Sequence, residues 1–147
     1  MLYFCFMGVV LAIDYGAKRS GIAVTDNLKM IAYPLDTVGT PELVEFLMNY
    51  SLKEEVDLFV VGLPKKLNNQ ASEIENLIKP FIIILKRHFP NIEIVRYDER
   101  FTSKIAFQTL IKLGLKKKKR QDKTLVDKIS ATLILQSYLD HVKSKQI

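Results

Sequence analysis

Val9 to Ile13 is an unbroken apolar run that ends on a carboxylate, Asp14. A strand with no polar residue must be covered on both faces, which is the pattern of a central strand in a layered α/β sheet. Asp57 to Gly62 (DLFVVG) is a second run of this kind, and it leads into Leu63-Pro64 and a polar loop. Two buried strands separated by some forty residues require helices to cover them, so the rest of the chain must supply both helices and further strands.

The intervening segments fit that demand. Gly16 and Gly21 bracket a turn, and Gly21 to Asp26 (GIAVTD) reads as a second strand. Ile31 to Val38 is a third, weakened by Pro34, which completes an antiparallel meander. Pro41 suits the first turn of a helix running to about Lys53, with Thr40 as its N-cap. Ser72 to Phe89 reads as a long helix that Pro80 must kink or split. Ile92 to Tyr97 is a fifth strand after the Pro90-Asn91 turn. Thr102 to Leu113 is a helix stopped by Gly114, and Thr124 to Val142 is the last one. The order β-β-β-α-β-α-β-α-α predicts one α/β domain over 1–147. It is a mixed five-stranded sheet, three meander strands followed by β-α units, with helices on both faces. Ligands of such sheets sit at the carboxyl ends of the parallel strands.

Composition narrows the chemistry. With one cysteine, Cys5, there is no internal disulfide and no cysteine-based zinc cluster. With two histidines, His88 and His141, any metal is held by carboxylate oxygen, which favours Mg²⁺ or Mn²⁺. The apolar stretch Met1 to Ile13 has no basic residue ahead of it and is too short to span a bilayer, so no membrane association is expected. It reads as a buried strand with a few residues in front, and Met7 is an alternative start. The net charge of +6 is matched by the segment Lys112 to Lys123 (KLGLKKKKRQDK), leaving the remainder neutral. A basic run on a neutral body points to a polyanion, against the simpler reading of a solvated loop.

Three acidic positions stand where an unpaired carboxylate is costly. Asp14 ends the first buried strand; capping the Tyr15-Gly16 turn is its structural alternative. Asp98 and Glu99 follow the fifth strand, with Arg100 as a local ion-pair partner. Asp127 shares a helix face with Ala131, Ile134 and Tyr138, although Leu125, Ile129 and Leu133 make the other side apolar too. Together these acids describe a cluster able to hold one or two divalent ions for phosphodiester hydrolysis.

At four places the sequence resembles the YqgF/RuvX family. Leu11 to Asp26 (LAIDYGAKRSGIAVTD) is similar to its opening D-x-G-x-K-R-x-G-x-A-x-[ST]-D motif, and Val60 to Asn69 (VVGLPKKLNN) to its V-G-L-P loop. Tyr97 to Ala106 (YDERFTSKIA) is similar to its D-E-R motif, and Asp127 to Leu139 (DKISATLILQSYL) to its closing D-x-x-[AS]-A motif. The resemblance implies a ribonuclease H-like fold of the Holliday-junction-resolvase branch. It also implies a cytoplasmic, divalent-metal-dependent nuclease, monomer or homodimer, acting on structured nucleic acid. The foremost substrate would be the 5′ end of precursor 16S ribosomal RNA in ribosome biogenesis, with branched DNA as the alternative. Carried over by motif, the metal ligands would be Asp14, Glu99 (with Asp98 as its rival) and Asp127, and Lys18 and Arg19 would face the phosphate backbone. Lys65, Lys66, Arg100 and the run Lys116, Lys117, Lys118, Lys119 and Arg120 are the further nucleic-acid contacts expected. The chain departs from the family at Asn69, where a glycine is usual, and at Ser130, where alanine is usual; Lys65 and Lys66 are more basic than expected there. A binding module with little catalysis is the rival class. The D-x-G motif also resembles the phosphate loop of actin-like kinases, but the second glycine-rich loop of those proteins is missing.

Overall fold

The computed structural model describes residues 8–64, 72–99 and 123–145. Strands β1 (Val9–Asp14), β2 (Arg19–Thr25) and β3 (Ala32–Gly39) lead through a 3-10 turn (Thr40–Glu42) into α1 (Leu43–Lys53). Then come β4 (Val56–Leu63), α2 (Glu75–His88), β5 (Glu93–Asp98) and a final helix, here α3 (Lys123–Lys145). The sheet order is β3-β2-β1-β4-β5. β1–β2 and β2–β3 pair antiparallel, while β1–β4 and β4–β5 pair parallel. The mixed five-stranded sheet expected from the sequence is therefore present.

The two faces of the sheet carry different side chains. Leu11, Ile13, Ile22, Phe59 and Val61 pack with Leu43 and Leu47 of α1 and with Ile78, Phe81 and Leu85 of α2. Val10, Ala12, Ala23, Ala32 and Val60 pack with Ala131, Ile134 and Leu135 of α3. Large residues fill the wider layer, and small ones let α3 lie close to the sheet. At Gly21 the approach is closest: a β-carbon there would collide with the backbone carbonyl of Asp127. This also settles the ambiguity of the last helix, whose buried face is the one headed by Asp127.

Several local expectations need correction. Thr40 does not cap a helix; the segment it opens is a 3-10 turn without a side-chain cap, and the Thr40 hydroxyl donates to the Gly16 carbonyl instead. β2 begins at Arg19 rather than Gly21, so Gly21 lies inside the strand, opposite Asp14. Pro80 neither ends nor splits α2, which runs through it unbroken; the helix starts at Glu75, not Ser72. Pro34 is accommodated because β3 is an edge strand. The expected helix over 102–113 lies outside the described residues.

The close seat of α3 is testable by Gly21→Ala. The added methyl must push helix and sheet apart, with an expected loss of about 1–3 kcal/mol in urea unfolding. Ile83→Ala, on the exposed side of α2, should change stability by less than about 0.5 kcal/mol. Equal effects of the two would show that the helix is not so tightly seated.

Candidate active site

The parallel strands β1, β4 and β5 bring their carboxyl ends to one edge, with Ile13 level with Val61 and Gly62 level with Tyr97. Side chains alternate along each strand, so Asp14 follows Ala12 onto the α3 side of the sheet. On β5, Ile94 joins the α1/α2 layer and Tyr97 the α3 layer. By this alternation Asp98 falls on the α2 side. Glu99 packs against Gly62, where a β-carbon would lie 2.7 Å from Glu99 Oε1. Alternation and the glycine seat thus separate the two neighbouring acids and bring Glu99, not Asp98, to Asp14.

The Asp14 and Glu99 carboxyl groups share a hydrogen bond. Burial holds the Asp14 carboxyl well above its ordinary range, and the negative charge of Glu99, the hydrogen bond to it and the charge of Asp127 push the same way. Glu99 is raised as well, mainly by burial, but the hydrogen bond from Asp14 and the Arg96 guanidinium pull it down against Asp98 and Glu75. Both carboxyl groups are thus raised, Asp14 the more strongly.

Asp127 enters from α3, whose backbone touches Gly21, the β2 partner of Asp14. Its Oδ2 accepts a hydrogen bond from Arg19 Nε at 3.1 Å. Arg19 was expected to face phosphate; its Nε is committed to a candidate ligand. Lys18 is exposed in the β1–β2 turn. That turn is fixed by a ring of hydrogen bonds. Gly16 N–H donates to Ser20 Oγ at 3.3 Å, Ser20 Oγ and Thr40 Oγ1 lie 2.8 Å apart, and Thr40 Oγ1 donates to Gly16 O at 2.6 Å. Thr40 N–H also donates to Lys18 O at 2.9 Å.

Sequence reasoning missed two features, this ring and an ion pair between Arg96 and the buried Glu75. The signal for the second was an arginine on the same alternating face as Ile92 and Ile94 of the strand Ile92 to Tyr97. His88 and His141 are exposed, and His141 packs edge-on against Tyr97. Lys65, Lys66, Arg100 and Lys116 to Arg120 lie outside the described residues, as does Cys5. A cleft of about 860 Å³ opens at the other end of β1 and β4, lined among others by Val10, Leu58, Tyr138 and Leu139; it contains none of the three acids. Among the described residues no helix is long and apolar enough to cross a membrane.

The donor chemistry suits a hard divalent cation: two half-buried carboxyl groups meet within hydrogen-bond reach, and carboxylate oxygen is what such ions prefer. Among the described residues, no group of three His, Cys, Asp or Glu side chains, Asp14, Glu99 and Asp127 included, is placed to hold a metal ion. Asp14 and Glu99 meet each other, and Asp127 is engaged by Arg19.

This pair makes stability depend on pH in a defined direction. The folded state binds the Asp14 proton more tightly than the unfolded chain does, so stability falls as pH rises from the ordinary carboxylate pKa of 3.8 through the raised value. In EDTA the slope should reach at most about 1.4 kcal/mol per pH unit. Asp14→Asn should flatten it and leave melting at neutral pH equal to or above that of the parent, because an amide keeps a donor toward Glu99 without the repulsion. A sharply lower melting temperature would make Asp14 a structural turn residue.

Residues 8–141 match the family model described as "RuvX: Holliday junction resolvase". A protein of Parabacteroides distasonis named "Putative pre-16S rRNA nuclease" is 54% identical over 137 residues, covering 93% of this chain and 98% of its own length. A relative of the same name from Flavobacterium johnsoniae is 50% identical, covering 88% and 94%. The fold is similar to that of Thermus thermophilus RuvC in complex with a Holliday junction substrate, at a TM-score of 0.53 and 15% identity, over 90% of this chain and 96% of that one. The order of the sheet, the acids at its carboxyl edge and these matches agree: the chain has a ribonuclease H-like fold and belongs to the RuvX family of Holliday-junction-resolvase-like nucleases.

Proposed function

We propose that this chain is a divalent-metal-dependent nuclease that hydrolyses phosphodiester bonds in structured nucleic acid, with the 5′ end of precursor 16S ribosomal RNA as its substrate in the cytoplasm. The observation that carries the reading is the Asp14–Glu99 carboxyl pair at the carboxyl edge of the parallel strands, with the charge of Asp127 acting on it. The names of the relatives support the choice of RNA; the family's description keeps junction DNA as the second substrate.

In this reading Asp14, Glu99 and Asp127 would hold Mg²⁺ or Mn²⁺, with Arg19 remaining on Asp127 Oδ2. An ion held there would supply Lewis-acid activation of water and charge stabilisation at the leaving oxygen. The residues of the chain do the rest. Lys18, exposed on a turn that the Ser20–Thr40 ring keeps in shape, meets the phosphate backbone. Arg19 keeps its two Nη groups for phosphate while Nε bonds Asp127. Lys65, Lys66, Arg100 and Lys116 to Arg120 extend the basic contact.

Incubation of precursor ribosomal RNA and four-way-junction DNA with Mg²⁺, Mn²⁺ or EDTA tests the reading. Metal-dependent cleavage of the RNA is expected, falling to background in Asp14→Asn while nucleic-acid binding is kept. Binding with no cleavage under any metal would favour the binding-module class, and cleavage of the junction alone would exchange the substrate.

The basic run is tested separately. Replacing Lys116, Lys117, Lys118 and Lys119 by alanine should flatten the slope of log affinity against log salt by roughly two to four units, since each duplex phosphate neutralised contributes about −0.9. Turnover at saturating substrate should change much less. An unaltered salt slope would leave Lys18, Arg19, Lys65 and Lys66 as the phosphate contacts.

A further inference from the structure

Arg96 stands on the α2 side of the sheet, opposite the face that carries Asp14 and Glu99. Its guanidinium forks onto Glu75, with Nη2 to Oε1 at 2.7 Å and Nη1 to Oε2 at 3.0 Å. The same group donates from Nη2 to the Gly62 carbonyl at 2.9 Å and from Nε to the Val61 carbonyl at 3.3 Å. One side chain thus ties the first turn of α2 to the last residues of β4 and to β5. Glu75 is buried, with its side chain 6% exposed against 23% for Arg96.

Packing alone does not explain this arrangement. A buried ion pair is weak support for stability, and an apolar pair of similar size serves as well or better. An apolar pair cannot grip two strand carbonyls, and those two belong to the residues that lead into the site. The other side of Gly62 is the seat of Glu99, whose Oε1 comes so close that a β-carbon there would lie 2.7 Å away. A shift of the Gly62 backbone by a few tenths of an ångström is therefore transmitted directly to that carboxylate. The guanidinium charge also acts on Glu99 through the sheet, opposing Asp98 and Glu75.

We propose that Arg96, held in place by Glu75, is the positioning residue of Glu99: it clamps the Val61 and Gly62 carbonyls from the far face of the sheet and so sets where Glu99 meets Asp14. The inference rests on the reading of Asp14 and Glu99 as metal anchors. The task needs arginine. A planar fork with five donors reaches a carboxylate and two carbonyls together, whereas a lysine ammonium keeps the charge but cannot span them.

The test uses the full chain with two variants, Arg96→Lys and the double variant E75M/R96M, which removes both buried charges at once. Mn²⁺ binding is measured without nucleic acid, alongside urea unfolding, kcat and KM. Both variants should unfold cooperatively and bind Mn²⁺ about tenfold or more weakly, in the range seen when groups that orient a metal ligand are removed. At limiting Mg²⁺ their kcat should fall, with partial recovery at high Mg²⁺ and an unchanged KM for nucleic acid. A merely structural role would move the unfolding curve and leave the Mn²⁺ affinity alone. A folded double variant with parental Mn²⁺ affinity and kcat overturns the proposal. So does failure of both variants to fold, which would make the pair a folding element. A parent chain that neither binds Mn²⁺ nor cleaves overturns the nuclease reading itself, and the proposal with it.

Discussion

The distance between α3 and the sheet is the constraint from which the site follows. Gly21 leaves no β-carbon under the Asp127 carbonyl, and Ala12, Ala23, Ala32 and Ala131 keep the rest of that layer thin. A thicker layer would carry the Asp127 carboxylate away from Asp14, its neighbour across the Gly21 pairing. The opposite layer is built from Phe59, Phe81, Leu47 and Leu85 and has no such demand. One face of the sheet is packed with large side chains, the other with small ones that let α3 approach.

That proximity has an electrostatic cost, since burial and mutual repulsion both oppose charge on the Asp14–Glu99 pair. Two arginines answer it from different sides. Arg19 reaches Asp127 at a partly exposed position, where an ion pair contributes little to stability and can be exchanged for another anion. Arg96 is anchored below the surface by Glu75 and by two carbonyls, so it is fixed in place. One cation is paired near the surface, and the other is built into the sheet.

Much of the fold was legible because its signals are local. An apolar run with no polar break means a two-sided strand wherever it occurs, and β1 and β4 contain the runs expected of them. The errors fell where a tertiary contact overrode a local preference. Thr40 has the character of a helix cap, yet its hydroxyl is claimed by Gly16, twenty-four residues back. Pro80 sits inside α2, although the local preference of proline is to break a helix.

The sequence by itself determined the apolar strands, the acids that end them and the family motifs in their order, because strand period, composition and spacing are properties of neighbouring residues. It preferred Glu99 to its rival Asp98 only through the family motif, and could not choose a face for the last helix. Tertiary structure decided both. Only strand pairing places Gly62 beside Glu99, and only the docking of helices on the sheet sets Gly21 beneath Asp127 and brings Glu75 to Arg96. Contacts between residues dozens of positions apart depend on how elements dock, and docking is set by the shape of whole faces rather than by any one segment.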